Sequence, residues 1–214
     1  MLSSFDPYLP IFNVEIYQQG CLFWKNARNV VQFTGLSNSA EGNRMKDLQQ
    51  FIAQPKIDAH NHLNLGMHYN SWLAWSGTPI PKFPRKMKGL DEMHDIISHY
   101  TRPRCKTADD VAKLIDMSIV DAIDDGVTIL EGSIDIGFMV HFKEDYDRFL
   151  RMVSDFVSTY QSKIDFRPEL GLGKTFDKKK IHRWAPELMQ SKLFKSIDLY
   201  GPEVEDGIEE FSGI

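Results

Sequence analysis

Short apolar segments rich in β-branched residues alternate with longer amphipathic segments along most of this 214-residue chain. The short segments have the length of buried strands, and the apolar residues between them recur at helical spacing. The predicted strands lie near 57–59 and at 127–132, 164–171 and 196–201. The clearest predicted helices run from the N-cap Thr107 to Gly126, over about 144–162 and over about 178–191.

This alternation predicts parallel βαβ units, because each helix carries the chain back to the start of the next strand. Such units build an open doubly wound sheet or a (β/α)8 barrel of the TIM-barrel type, and composition does not choose between them. Four strands are half of the eight in a barrel, which needs about 250 residues. We therefore expect an α/β chain that covers the first four barrel strands. The final EDGIEEFSGI resembles the opening of a fifth helix, so we expect a longer polypeptide.

A doubly wound nucleotide-binding domain is the alternative, and its best support is the glycine-containing loop GLGKT at 171–175. A phosphate-binding loop of the GxxxxGK[ST] type needs a glycine five residues before Gly173, but Pro168 stands there. The pattern therefore favours an ordinary βα loop, with Thr175 or Asp177 capping the next helix.

The first part of the chain falls outside the alternation. Residues 1–54 are predicted to form an N-terminal helical extension, followed by a half-barrel over 55–214. Residues 64–105 combine glycines, prolines and aromatics without a clear period, which predicts a long loop with one helix near 90–100. Long loops are often functional.

The charge and composition exclude several classes of protein. A formal net charge of −5 provides no positive field for nucleic acid or an anionic membrane. There is no apolar run of the roughly 18 residues that a membrane span needs, so we expect a cytoplasmic protein. Cys21 and Cys105 lie far apart, which favours packed thiols over a disulfide or a cysteine zinc site.

The sharpest chemical feature is Asp58-Ala59-His60-Asn61-His62 at the end of the first predicted strand. Side chains two residues apart in a strand point to the same face, so His60 and His62 can direct two imidazoles at one point. Neutral imidazoles suit zinc, and a catalytic zinc site keeps one position open for water. Two histidines that only bond loop groups are the structural alternative.

Three segments resemble the adenosine deaminase-like branch of the amidohydrolase superfamily. PKIDAHNHLNLG is similar to its first barrel strand, DGVTILEGSID to its second, and SIDLYGPE to its fourth, where G-I-D-L-x-G-x-E is usual. The resemblance covers roughly residues 55–210 and implies a zinc-dependent enzyme that removes the amino group of a purine by adding water.

By position, the resemblance implies that His60 and His62 bind one zinc ion and that the Gly201 backbone amide meets the purine ring. Asn64 stands where the family commonly has an aspartate that binds a sugar hydroxyl, which leaves adenosine itself open as the substrate. The family's remaining catalytic groups, in motifs such as H-A-G-E, are expected beyond Ile214. The missing barrel half would come from the same or a second chain.

Other functions stay open at this point. One is a non-catalytic metal-binding or oligomerising half-barrel. Another is an amidohydrolase of the wider superfamily that acts on a cyclic amide or an N-acetyl sugar. In the sugar deacetylases of the superfamily a carboxylate is a metal ligand, a role that Glu169 could take, although Glu169 follows Pro168 and equally fits a solvated loop. A two-metal site bridged by a carbamylated lysine is disfavoured, because Lys195 lies at the wrong end of the fourth strand.

Overall fold

A computed structural model of the chain describes residues 54–82, 86–87, 89–201 and 211. Four strands form one parallel sheet in the order β1-β2-β3-β4. Their bounds are β1 Lys56–His62, β2 Val127–Asp135, β3 Asp165–Gly173 and β4 Ser196–Tyr200. The predicted fold class is confirmed: this is the first half of a (β/α)8 barrel. The helical extension predicted over 1–54 lies outside the described residues, apart from Gln54.

The sheet is strongly curled, as a barrel wall must be. The Ser133 hydroxyl of β2 donates a hydrogen bond of 2.7 Å to Asp198 of β4, across the intervening strand β3. Neighbouring strands lie about 4.8 Å apart, so side chains two strands apart meet only where the sheet bends toward them. The concave side of the half-barrel therefore carries polar groups.

The described residues contain five α-helices. They are α1 Tyr69–Ser76, α2 Leu90–Ile96, α3 Ala108–Asp124, α4 Tyr146–Tyr160 and α5 Lys178–Gln190. The main core forms where α3, α4 and α5 pack against the strands. Its fully buried members include Leu114, Ile119, Leu130, Ile134, Phe149, Leu170, Leu172 and Trp184. The apolar residues that were predicted at helical spacing therefore lie in one layer of helices packed against the sheet.

One local prediction needed correction. The loop predicted over 64–105 contains the extra helix α1, and α2 continues into a π-helical turn, Ile97–Thr101. The segment after β2 forms the 3-10 helix Ile136–Phe142. Strand β1 runs through both histidines, which the prediction placed at its end. The sequence signals for secondary structure are weak in these segments, and tertiary packing of their apolar residues decides the conformation instead.

Strand β1 contains an irregularity between Asp58 and Asn61, the segment that includes His60. Asp58 pairs with Leu130 and Asn61 pairs with Gly132, so three steps along β1 match two steps along β2. This is the count of a β-bulge, a feature that redirects side chains and is frequent next to active sites. A bulge at this position can alter the direction in which the His60 side chain points.

The N-terminus of α3 allows a direct test of the predicted cap. Thr107 accepts a hydrogen bond from the Asp110 backbone N–H, and the Asp110 carboxylate accepts one from the Thr107 backbone N–H, which completes a capping box. We expect Thr107→Ala to lower the free energy of unfolding by about 1 kcal/mol, measured by urea denaturation. Thr159→Ala, at an exposed position within α4, is the matched control. An equal loss in both variants would contradict the cap.

Candidate metal centre

His60 and His62 converge on the concave side of the sheet, near the carboxyl end of β1. Their ring centroids are 4.9 Å apart and the ring planes meet at 84°. The His60 side chain is 27% exposed and that of His62 is 18% exposed. Both rings are therefore held within the fold but remain open to solvent. Their position on one face of the strand agrees with the i, i+2 spacing of the two residues.

A carboxylate from β4 completes the cluster. Asp198 Oδ1 lies 3.8 Å from His60 Nε2, and Asp198 Oδ2 lies 3.7 Å from His62 Nδ1. One ligand atom from each of the three residues lies within 4.8 Å of the others. Asp198 was not among the ligands predicted from the sequence. Its position as a charged residue inside an otherwise apolar strand was the available signal.

This donor set fits a zinc ion. Two imidazole nitrogens and one carboxylate oxygen are among the ligands that zinc accepts, and three protein ligands leave a fourth position for water or substrate. The Ser133 hydroxyl donates to Asp198 Oδ2 and so orients the carboxylate. The cluster lies where barrel strands end, the edge at which barrel enzymes form their active sites.

Glu169 of β3 lies beside this cluster and is only 8% exposed. Its Oε2 is 3.3 Å from His60 Nδ1, and its Oε1 accepts a 2.6 Å hydrogen bond from the Ser196 hydroxyl. Burial raises the pKa of Glu169, but the hydrogen bonds from His60 and Ser196 outweigh burial and hold the pKa below its usual value. The reading of Glu169 as a solvated loop residue was wrong.

Tyr200 packs against the second histidine. Its ring meets the His62 ring edge-on, with centroids 4.8 Å apart, and its hydroxyl donates a 2.5 Å hydrogen bond to Asp135 Oδ2 at the end of β2. Burial, and then the neighbouring Asp135 carboxylate, raise the pKa of Tyr200 far above its ordinary range. Tyr200 therefore stays neutral and remains a hydrogen-bond donor. The sequence analysis did not single out this pair.

The two predicted substrate-binding residues flank the cluster in the chain. Asn64 is half-buried in the turn after β1, which is closed by the bond from Leu65 N–H to the His62 carbonyl. Gly201 follows β4 with φ of +126°, a conformation that a side chain would strain. Their roles toward substrate stay predictions.

His68 does not join the cluster. Its Nε2 lies 2.8 Å from Asp125 Oδ2, and its backbone N–H donates to Asp121 of α3. These bonds tie the segment after β1 to α3, so a structural role fits His68 better than a place in the site. Trp72 of α1 is only 4% exposed, which leaves little of its ring available to a substrate.

One known protein is similar in sequence to most of this chain. Over 167 residues the chain is 51% identical to a Treponema pallidum (strain Nichols) protein named "Putative adenosine/adenine deaminase". The aligned region is 78% of this chain. The resemblance to the adenosine deaminase-like branch is confirmed. No family model matches the chain.

Solved structures show the same fold at low sequence identity. An amidohydrolase from Burkholderia ambifaria with bound Zn matches with a TM-score of 0.59 and 18% identity, over 83% of this chain and 51% of that chain. The Arabidopsis protein ADAL, complexed with GMP, matches with a TM-score of 0.53 and 17% identity, over 72% of this chain and 51% of that chain. These matches establish the half-barrel fold.

The chain spans about half the length of the proteins that it matches. It covers 56% of the Treponema pallidum relative and 51% of each of the two solved chains. Among the described residues, no helix is long and apolar enough to cross a membrane.

Proposed function

We propose that this chain supplies the zinc-binding half of a hydrolytic deaminase that acts on an amino-purine. The observation that carries the proposal is the convergence of His60, His62 and Asp198 at the carboxyl ends of two barrel strands. Support comes from the 51% identity to a relative named for adenosine and adenine deamination. The GMP complex of a protein with the same fold is consistent with a purine substrate.

His60 and His62 would hold one zinc ion, with Asp198 placed to complete or orient the ligand set. When bound, zinc lowers the pKa of a coordinated water to about 7, which provides a hydrolytic nucleophile at neutral pH. The concave, half-buried position of the two rings limits the access of bulk water. Their exposed fractions still leave room for a substrate to approach from the open side.

Asn64 and Gly201 would recognise the substrate. An asparagine side chain offers both a donor and an acceptor without charge, which suits a sugar hydroxyl or an exocyclic ring group. The absence of a side chain at Gly201 leaves its backbone N–H accessible to a planar ring. Four strands close only half a barrel, so we infer that the other half comes from further residues of the same polypeptide or from a second chain.

The test is ammonia release by the natural protein, purified together with any further residues or partner chains that accompany it. We expect release from at least one of adenosine, adenine, AMP and guanine. We also expect the activity to disappear after treatment with a zinc chelator and to return when zinc is added. A preparation that carries bound zinc and releases ammonia from none of these purines would contradict the deaminase proposal.

A further inference from the structure

Glu169 occupies a position where a carboxylate is costly. It lies at the concave side of β3, and its side chain is 10% exposed. A buried carboxylate is stable only when hydrogen-bond donors compensate for the lost water. The identity of those donors therefore indicates what Glu169 does in the fold.

The first donor is Ser196 on the neighbouring strand. Glu169 and Ser196 are direct partners in the β3–β4 register, and the Ser196 hydroxyl donates to Glu169 Oε1 at 2.6 Å. Because the register places the two residues side by side, this bond fixes the orientation of the carboxylate. The second oxygen, Oε2, is then directed toward β1.

The second polar partner is His60, whose Nδ1 lies 3.3 Å from Glu169 Oε2. An ionised carboxylate can only accept a hydrogen bond, so Nδ1 must carry the proton in this contact. In a neutral imidazole the other nitrogen, Nε2, is then the unprotonated one and carries the lone pair that can bind a metal. His60 Nε2 lies on the side of the ring that faces Asp198 Oδ1, at 3.8 Å.

We propose that Glu169 is a positioning residue that holds His60 in the Nδ1–H tautomer and aims its Nε2 lone pair at the cluster with His62 and Asp198. This inference rests on the proposed metal centre. A carboxylate that accepts the second ring N–H of a metal-binding histidine raises the basicity of the ligand and fixes the orientation of the ring. Ser196 acts one step further out by orienting Glu169.

The first measurement requires no metal. Long-range proton–nitrogen NMR spectra of the metal-free full chain report which ring nitrogen of His60 carries the proton. We expect Nδ1–H in the wild-type chain and a mixture of tautomers in Glu169→Ala. A wild-type His60 in the Nε2–H tautomer would overturn the proposal, whatever the chain's activity.

The second measurement is zinc affinity, obtained by competition with a chromophoric chelator. We expect Glu169→Ala to weaken zinc binding by about 10–100-fold. Glu169→Gln should recover part of this loss, because its amide oxygen can still accept from His60. Glu131→Gln is the matched control, since Glu131 lies on β2 and contacts Arg167 instead, and it should bind zinc like the wild type.

The two proposals fail in different ways. If the wild-type chain binds no zinc, or if His60→Ala leaves zinc binding unchanged, then the metal centre itself is wrong. If the wild-type chain binds zinc, His60→Ala loses it, and folded Glu169→Gln and Glu169→Ala both bind like the wild type, then only the positioning role is wrong. Should Glu169→Ala fail to fold, the near-isosteric Glu169→Gln and the wild-type spectrum still decide the question.

Discussion

Replacing His60 or His62 with alanine is expected to remove bound zinc from this chain. Each histidine contributes one of the three candidate ligand groups that lie within 4.8 Å of one another. Loss of a partner that only orients a ligand already costs about 10–100-fold in metal affinity, so loss of the ligand itself should cost 100-fold or more. The zinc content of purified protein should fall from about one ion per chain, the occupancy of a single mononuclear site, to near zero.

The measurement is elemental analysis after dialysis against a weak chelator, with circular dichroism to confirm that each variant is folded. His182→Ala is the matched control, because His182 lies exposed on α5. It should retain the wild-type zinc content. Unchanged zinc in both His60→Ala and His62→Ala would remove the metal centre and the proposed function with it.

Asp198→Asn distinguishes the contribution of the carboxylate to zinc binding from that of the two histidines. The amide oxygen can still accept the hydrogen bond from Ser133, but it brings no negative charge to the cluster. A smaller loss of zinc than in the histidine variants would indicate that Asp198 mainly orients the site, whereas an equal loss would indicate direct ligation.

The strands and the main helices could be predicted because their signals are local. Apolar periodicity marks α3, α4 and α5, and Asp177 caps α5 by accepting from the Lys179 and Lys180 backbone N–H groups, as its position before the helix predicted. Helix α1 lacks such signals. Its N-cap is His68, without a side-chain cap bond, and its first turn contains no acidic residue. Helix α1 is therefore recognised only in the folded structure, from its packing.

The site itself could be predicted only in part. His60 and His62 are two residues apart, so strand geometry alone places them together. Glu169 contacts His60 across 109 residues of sequence, and Asp198 reaches both rings from the last described strand. Those contacts depend on strand order, register and curl, which one sequence does not determine. The apolar-acidic-apolar pattern of Ile197-Asp198-Leu199 was the signal available for Asp198.

Gly171→Ala is expected to disrupt both the sheet and the metal centre. Gly171 lies on β3 between Asp135 and Asp198, its partners on the two neighbouring strands. A Cβ atom there would lie 2.6 Å from Ser133 Oγ and 3.3 Å from the Asp135 Cα. Since the Ser133 hydroxyl crosses β3 at this point to reach Asp198, the added methyl group would displace it.

Two costs follow from that displacement. Overpacking a close-packed position costs about 1–3 kcal/mol, and a buried carboxylate that loses a donor costs about 1–3 kcal/mol more. We therefore expect the free energy of unfolding of Gly171→Ala to fall by about 2–6 kcal/mol, the sum of the two ranges, measured by urea denaturation. Zinc affinity should also fall, because Asp198 loses the bond that orients it.

Gly89→Ala is the matched control for this substitution. Gly89 has extended backbone with φ of 175°, and a Cβ atom there meets nothing within 4 Å. Its replacement should change the free energy of unfolding by less than about 1 kcal/mol, because alanine restricts the unfolded chain but is a poorer N-cap for α2 than glycine. Gly171→Ala combined with Ser133→Ala separates the two costs. If the steric conflict with the Ser133 hydroxyl dominates, the double variant should be more stable than Gly171→Ala alone. A double variant that is less stable than Gly171→Ala would show that the conflict lies with the β2 backbone instead.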